Sequence, residues 1–235
     1  MTTDTPGTTS TGTLTEPAAG PHTTVAEQEV DVVVVGAGTG MLAALTAAEA
    51  GLSVLVVEKS EYVGGSTALS GGGFWIPTNP LLREAGVADS TERVREYLTA
   101  VIDGETLPER WGTFVEHGPA AVETLRRTTP LSFLHMADYA DYFPELPGGS
   151  ATGRAMEPSP FDARTLGERR AHIRPPAMAA PIPMPITGRS YRWVNLVARH
   201  PRGLFTSAKL VAMGVGGLAL RREYIAGGGA LAAGL

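Results

Sequence analysis

The sequence predicts an α/β protein that begins with a Rossmann-like βαβ unit, the start of a doubly wound sheet. Three features carry this prediction: a valine-rich run over residues 30–35, a glycine-rich turn over residues 36–40, and Glu58 at the end of a second apolar run. Such runs are typical of strands that are buried on both faces of a parallel sheet. Helical and loop-rich segments are expected to follow the unit.

The segment between the two apolar runs predicts a helix. Residues 41–50 are rich in Ala and Leu, which are strong helix formers. Gly51 follows directly, in the position where glycine commonly ends a helix. Residues 52–57 then predict a second buried strand, so strand, glycine turn, helix and strand follow one another as in one βαβ unit.

Later elements are shorter and less regular. A Gly/Ser/Thr loop is expected over residues 60–73, and residues 89–102 predict a helix in which Asp89 and Glu92 are spaced for a capping box. No element is predicted over residues 138–185, where Pro, Gly and aromatic residues dominate. The remaining expected elements are helical turns over 108–114 and 120–127, a strand over 131–134, and helices over 191–199 and 204–220.

The composition excludes several chemistries. The 235 residues include no cysteine, which removes disulfides, thiolate metal sites and cysteine nucleophiles. The histidines show no metal-ligand spacing, so no metal site is predicted. Neither a secretory signal nor a membrane-spanning segment is recognisable, and a cytoplasmic location is expected.

Charge is distributed unevenly along the chain. Residues 1–168 hold 9 basic and 23 acidic side chains, whereas residues 169–235 hold 10 basic and 1 acidic. The arginines of the basic part alternate with apolar residues and glycine rather than with stacked aromatics, so no nucleic-acid partner is expected. We expect the basic part to pack beside the acidic part or beside a partner segment, with contact to an anionic membrane surface as the alternative.

The glycine turn predicts a site for the pyrophosphate of a dinucleotide. The turn reads Gly36, Ala37, Gly38, Thr39 and Gly40. Gly36 permits the tight turn, Gly38 lets a pyrophosphate approach the backbone, and the helix start directs free N–H groups at the phosphates. Glu58 is placed to accept the hydroxyl protons of the ribose. The third glycine of the strict GxGxxG pattern would fall at Met41, so the packing of helix on strand is expected to differ slightly.

A second loop indicates which dinucleotide is bound. Glu58 would repel the 2′-phosphate of NADP, although Lys59 follows it. A Gly/Ser loop then takes the place of the crossover helix expected of an NAD domain. Its candidate cofactor residues are Gly64, Gly65, Ser66 and Thr67, followed by Ser70, Gly71 and Gly72. Backbone N–H groups of such a loop suit the flavin end of a cofactor. We therefore predict FAD, held non-covalently because no Cys exists and no His lies beside the loop.

A family resemblance rests on residues 31–77, DVVVVGAGTGMLAALTAAEAGLSVLVVEKSEYVGGSTALSGGGFWIP. This string resembles the FAD-binding family that contains the fumarate reductase flavoproteins and the 3-ketosteroid delta-1-dehydrogenases. Residues 141–158, 181–196 and 222–235 resemble later segments of the ketosteroid branch. In that branch the glycine pattern is closer to GxGxG than to the strict form, which accommodates Met41.

The resemblance implies an oxidoreductase that desaturates the C1–C2 bond of a 3-ketosteroid substrate. A base removes the C2 proton while C1 delivers a hydride to the flavin N5. A tyrosine in the matching segment supports a second, basic tyrosine in that proton transfer. The role carries over to Tyr142, and Tyr139 is the competing alignment. The resemblance identifies neither the preferred steroid nor the electron acceptor.

The expected domain organisation has two parts. Residues 1–28 are too poor in apolar side chains to offset their ordering entropy, which predicts a disordered tail. Residues 29–235 are expected to be the N-terminal part of an FAD-binding domain with the beginning of a substrate-facing region. The C-terminal half of the same protein would then be its partner, the fold would be incomplete, and the isolated chain would be inactive. A fumarate- or succinate-type flavoprotein and a non-catalytic nucleotide-binding remnant are the alternatives.

Overall fold

The computed structural model describes residues 28–102, 108–177 and 181–235, so the predicted tail lies almost wholly outside the described residues. The earlier elements are β1 (Val32–Val35), α1 (Gly40–Glu49), β2 (Val54–Val57), α2 (Gly65–Leu69), β3 (Phe74–Trp75), α3 (Pro80–Glu84), α4 (Thr91–Val101) and α5 (Pro108–Thr128). The later elements are β4 (Phe133–His135), β5 (Ala155–Pro158), β6 (Phe161–Asp162), a 3₁₀ helix (Ala163–His172), α6 (Gly188–Asn195), α7 (Pro201–Ala219), β7 (Tyr224–Ile225) and α8 (Gly227–Gly234).

The strands form three small sheets. β1 and β2 are parallel, with Val32 opposite Val54 and Val35 opposite Val57, and α1 connects them. The antiparallel sheet has the order β3-β5-β4, and β6 pairs with β7. The predicted βαβ unit is therefore present. The described residues contribute one parallel pair, whereas a complete doubly wound sheet has roughly five or six strands.

The predicted burial of β1 on both faces is wrong for the described residues. Val34 is buried, but 56% of Val33 and 83% of Val35 are exposed. α1 covers one face of the pair, and β2 is the only strand paired with β1 in the described ranges. The valine run thus correctly indicated a strand, but the described residues do not cover both of its faces.

The start of α4 corrects a predicted cap. Ser90 is the capping residue, because its Oγ accepts the N–H of Arg93 at 3.2 Å. The predicted capping box with Asp89 and Glu92 is wrong. The Asp89 carboxylate instead pairs with the buried guanidinium of Arg154, an interaction that local spacing does not reveal.

Other boundaries differ because tertiary packing overrides local propensity. α5 runs through Pro119 as one helix, and its buried Val115 and Val122 face the core on either side of that proline. The predicted 60–73 loop contains the short helix α2, and the 138–185 segment contains β5, β6 and the 3₁₀ helix. The glycines of α7 do not interrupt it.

The apolar core lies where α3 and α5 pack with the antiparallel sheet. Ile76, Leu81, Val122 and Met156 form a buried cluster, and Phe74 and Phe133 pack against it. The two phenylalanine rings meet edge to face, with centroids 5.7 Å apart. This core fixes β3 and β5, which flank the candidate site.

Candidate functional site

The first glycine turn has the geometry of a phosphate site. Gly36 adopts a φ of +100°, which a residue with a side chain rarely adopts. Thr39 precedes α1 without a side-chain capping bond, so no side chain occupies the first N–H groups of the helix; those of Met41 and Leu42 donate to the carbonyl oxygens of Gly38 and Thr39 at 3.2 Å. Helix N-termini of this kind attract anions through these donors and the helix dipole.

Gly40 takes over the packing role expected of the third glycine. A β-carbon at position 40 would lie 2.8 Å from Cγ1 of Val34, closer than unstrained packing permits. Helix α1 therefore approaches β1 closely at residue 40 rather than at Met41. The expected change in packing is a shift of the close contact by one residue.

The second glycine loop lies directly against the first. The N–H of Gly64 donates to the carbonyl oxygen of Ala37 at 2.6 Å. A β-carbon at position 38 would point between the loops, 3.5 Å from the Gly64 carbonyl oxygen and 3.7 Å from Oγ1 of Thr67. The structure thus brings the turn at 36–40 into direct contact with the start of α2, so a side chain at position 38 would meet the second loop.

Glu58 links the end of β2 to the same turn. Its carboxylate accepts the N–H of Ala37 at 2.9 Å and the N–H of Ser60 at 3.0 Å. The bond from Ala37, followed by that from Ser60, lowers the pKa of Glu58 below its ordinary value of 4.5. The side chain is therefore an oriented anion at neutral pH, and a carboxylate retains further lone pairs for a ligand hydroxyl.

The remaining predicted loop residues have mixed surroundings. Gly65, Ser66 and Thr67 form the first turn of α2, and Lys59 is exposed. The Ser70 hydroxyl donates to the Thr67 carbonyl oxygen at 2.7 Å and accepts the N–H of Gly72 at 3.1 Å. The Gly72 backbone abuts the start of α8, while a β-carbon at Gly71 would meet open space. Ser70 and Gly72 thus brace the loop.

A cavity of about 440 Å³ begins where the cofactor loop ends. Its lining residues are Gly73, Phe74, Trp75, Tyr97, Leu98, Val101, Met136, Tyr139, Ala140, Asp141, Tyr142 and Ala155. Most of these side chains are aromatic or aliphatic, and the volume is within the range of small-molecule sites. Both tyrosines that the sequence proposed as alternatives lie in this one cavity.

Tyr139 and Tyr142 interact with each other. Tyr142 is 82% exposed and Tyr139 is 47% exposed. The neighbouring Tyr142 hydroxyl raises the pKa of Tyr139, through hydrogen bonding first and then through the charge that Tyr142 would carry. Tyr139 and Tyr142, the two candidates from the sequence, are therefore neighbours in the structure.

Three charged residues near the cavity, Arg154, Asp141 and Asp89, form a network that the sequence did not predict; Asp89 was expected to cap a helix instead. Arg154 and Asp141 are 1% and 5% exposed, and they form an ion pair. Arg154 also pairs with Asp89 at 2.9 Å. The only sequence signal was the Gly-Arg step at 153–154, and its partners lie 13 and 65 residues away.

Comparison with known proteins connects this geometry to a family. A model of the FAD binding domain matches residues 31–226. The chain belongs to this FAD-binding family. The family's cofactor is FAD, and the open space beside Gly36, where no atom lies within 4 Å of a β-carbon position, fits a pyrophosphate.

Sequence relatives and a solved structure agree with the family assignment. The FAD-binding chain is 46% identical over 185 residues to a 3-oxosteroid 1-dehydrogenase of Mycolicibacterium smegmatis, covering 78% of this chain and 32% of that protein. It is 42% identical over 205 residues to a 3-oxosteroid 1-dehydrogenase of Mycobacterium tuberculosis strain H37Rv, covering 87% and 36%. The crystal structure of a 3-ketosteroid delta1-dehydrogenase from Sterolibacterium denitrificans matches with a TM-score of 0.75 and 34% identity, over 87% of this chain and 37% of that one.

The FAD-binding chain spans about a third of the length of these relatives. Within the described ranges, no helix is both long and apolar enough to cross a membrane. In the same ranges, no group of three or more His, Asp or Glu side chains is arranged to hold a metal ion.

Proposed function

We propose that the protein carrying this chain is an FAD-dependent dehydrogenase that desaturates the C1–C2 bond of 3-ketosteroids. The observation that carries the proposal is the apolar cavity, which runs from Gly73 at the end of the cofactor loop to the Tyr139–Tyr142 pair. The 3-oxosteroid dehydrogenases that the chain resembles, whose names describe this activity, support it.

The cofactor residues predicted from the sequence would contact different parts of FAD. Gly36, Gly38 and the start of α1 would hold the pyrophosphate, because a β-carbon placed at Gly36 would meet open space. Glu58 would accept the ribose hydroxyls with the lone pairs that Ala37 and Ser60 leave free. The loop from Gly64 onward would support the flavin end without a covalent bond.

The cavity suits a rigid, apolar ring system. Trp75 stacks on Phe114 with ring centroids 6.2 Å apart, which gives one wall a fixed shape. Asp141 lines the cavity, but its charge is balanced by Arg154 and its oxygens accept bonds from Trp75 and Ser150. Burial of an apolar ligand in this cavity is favoured by about 25 cal/mol per Å² of apolar surface removed from water.

The proposed chemistry separates a proton from a hydride. The C3 ketone acidifies C2, whose proton leaves to a base while C1 loses a hydride and the C1=C2 double bond forms. Bound FAD supplies the hydride acceptor. Tyr142 would support the base by hydrogen bonding, with Tyr139 holding the Tyr142 phenol in place.

A dicarboxylate-reducing flavoprotein of the fumarate type is the second candidate. Such a substrate calls for cationic clamps, and the cavity lining in the described residues contains neither Arg nor His. The test is to supply the full-length holoenzyme with a 4-ene-3-ketosteroid and an artificial electron acceptor, and separately with fumarate and a reduced dye. The proposal expects the 1,4-diene in the first assay and no turnover in the second; the reverse pattern refutes it.

We also propose peripheral contact between the α6–α7 hairpin and an anionic membrane surface. Leu204 and Phe205 on α7 are 61% and 71% exposed, and Tyr191 on α6 is 61% exposed. Basic side chains accompany them in this part of the chain, where residues 169–235 hold 10 basic and 1 acidic side chains. Exposed apolar groups flanked by cations favour an interfacial position on anionic lipid.

A further inference from the structure

The loop that carries Tyr142 is attached to the core through the guanidinium of Arg154. This side chain is 1% exposed and lies between two carboxylates. Its Nη1 pairs with Asp141, while its Nε and Nη2 donate to Asp89 at 3.0 and 2.9 Å. Breaking a buried pair leaves an uncompensated charge, which makes such a junction costly to disrupt.

Both neighbours of Tyr142 in the chain are fixed by side chains from other elements. The carboxylate of Asp141 accepts the indole N–H of Trp75 at 2.8 Å. On the other side, the N–H of Phe143 donates to the hydroxyl of Tyr97 at 3.3 Å. The Tyr142 side chain itself remains 82% exposed and lines the cavity. The backbone is thus held while the phenol is presented to the cavity.

The same guanidinium also secures the return of the loop. Nη2 of Arg154 donates to the Gly148 carbonyl oxygen at 2.8 Å. The second oxygen of Asp141 accepts the N–H of Ser150 at 3.0 Å. Arg154 therefore joins the segment before Tyr142, the segment after it and the start of α4, which no other described side chain does.

We infer that Arg154 is a positioning residue, which sets the placement of Tyr142 through Asp141 and Asp89 without contacting the substrate. The inference rests on the proposed function, because it assigns Arg154 a part in that reaction. Arg154 does not line the cavity, so its effect must pass through the loop. A displacement of about 1 Å in a reacting group lowers rates by about 100-fold.

The test is a double-mutant cycle in the full-length holoenzyme. Arg154→Lys keeps the charge but loses the planar fork that reaches both carboxylates. Flavin reduction by a 4-ene-3-ketosteroid is followed anaerobically and expressed per bound flavin, in wild type, Arg154→Lys, Tyr142→Phe and the double variant. We expect Arg154→Lys to slow reduction at least tenfold while the steroid dissociation constant changes less than threefold. In the Tyr142→Phe background, the same change should slow it less than twofold.

A matched control and a second variant make the result specific. Arg126 forms an ion pair with Glu84 at 2.7 Å, with the two side chains 37% and 58% exposed, so Arg126→Lys should leave the rate unchanged. Asp89→Asn, which keeps an oxygen for the N–H of Thr78, replaces Arg154→Lys if the latter does not fold. We expect Asp89→Asn to slow flavin reduction as well, and to lose this effect in the Tyr142→Phe background.

Two outcomes overturn the inference while leaving the proposed function intact. A rate per flavin within twofold of wild type in Arg154→Lys shows that the network is structural only. Equal slowing with and without the Tyr142 hydroxyl shows that Arg154 acts independently of Tyr142. A wild-type holoenzyme that no 3-ketosteroid reduces is a different result, since it overturns the proposed function together with the inference.

Discussion

Ala37 connects three parts of the cofactor site that are distant in sequence. Its N–H donates to Glu58 at the end of β2, and its carbonyl oxygen accepts the N–H of Gly64. Ala37 is 3% exposed, so these bonds lie inside the junction of the two loops. The contact between the two glycine loops is therefore held by the protein's own hydrogen bonds.

Replacement of Gly38 by valine tests the position of the pyrophosphate. A branched side chain at position 38 would press against the Gly64 carbonyl oxygen and the Thr67 side chain. We expect FAD affinity, measured by titration of the apoprotein, to fall at least tenfold, or about 1.4 kcal/mol. Gly216→Val is the control, because a β-carbon there meets open space on α7. Equal affinity in Gly38→Val and wild type contradicts the placement.

Glu58→Gln tests the oriented carboxylate. The folded-state pKa of Glu58 is lowered chiefly by the N–H of Ala37, so the unfolded state takes up the proton first as the pH falls. The stability that ionised Glu58 contributes is thus complete above about pH 4.5 and lost as the pH falls through the lowered pKa. The difference in unfolding free energy between wild type and Glu58→Gln should be constant from about pH 8 to 5 and shrink below. Glu61→Gln, at an exposed neighbour, is the matched control substitution.

Local sequence was sufficient to predict the elements β1, α1 and β2, but it was insufficient to predict most of the later helices and strands. The βαβ unit arises from neighbouring residues, because valine runs, helix formers and glycine each act locally. β5 was missed because its partners β3 and β4 make it a strand. Asp89 was misassigned for a similar reason: its partner Arg154 is 65 residues away.

The site shows the same division between local and distant signals. The turn at 36–40 and Glu58 were predicted from spacing, and the structure brings them into hydrogen-bonding contact. The cavity could not be predicted, because its walls come from β3, α4 and the 136–142 segment. The sequence also could not decide between Tyr139 and Tyr142, because the two side chains interact.

The α6–α7 hairpin gives a prediction at the same scale. Phe205→Glu places a charge in the exposed apolar face and should reduce cosedimentation of the full-length protein with anionic vesicles by about fivefold or more, since aromatic burial in the interface is lost. FAD content should not change, because α7 lies apart from the glycine loops. Tyr142→Glu, which adds the same charge at another exposed aromatic residue, should leave vesicle binding intact. Equal sedimentation of wild type and Phe205→Glu would rule out this contact surface.

For the whole molecule, the absence of cysteine from the 235 residues bears on how FAD is held. No thiol is present in this chain to form a flavin link, and no histidine occurs in the loop at residues 64–73. We expect denaturation of the full-length protein with acid or heat to release all of its flavin into the supernatant. Absorbance at flavin wavelengths that stays with the precipitated polypeptide after washing would contradict non-covalent binding.

The unequal charge of the two parts is also a property of the whole chain. The 3₁₀ helix, α6 and α7 carry most of the basic residues, and one of these, Arg170, pairs with Glu223 at 2.6 Å. Acidic residues of the first part pair with basic residues of the same part, as Glu49 does with Arg127. The expected packing of the basic part against the acidic part is therefore absent from the ion pairs of the described residues. The surplus positive charge is available for another surface.

We propose that a 3-ketosteroid reduces the flavin of the protein carrying this chain by losing hydrogen from C1 and C2. The most direct measurement is anaerobic titration of the full-length holoenzyme with a 4-ene-3-ketosteroid, with flavin absorbance and steroid products followed together. We predict loss of the oxidised-flavin band with formation of one 1,4-diene for each flavin reduced, and no reduction by succinate. A flavin that remains oxidised with the steroid, or that succinate reduces, would contradict the claim.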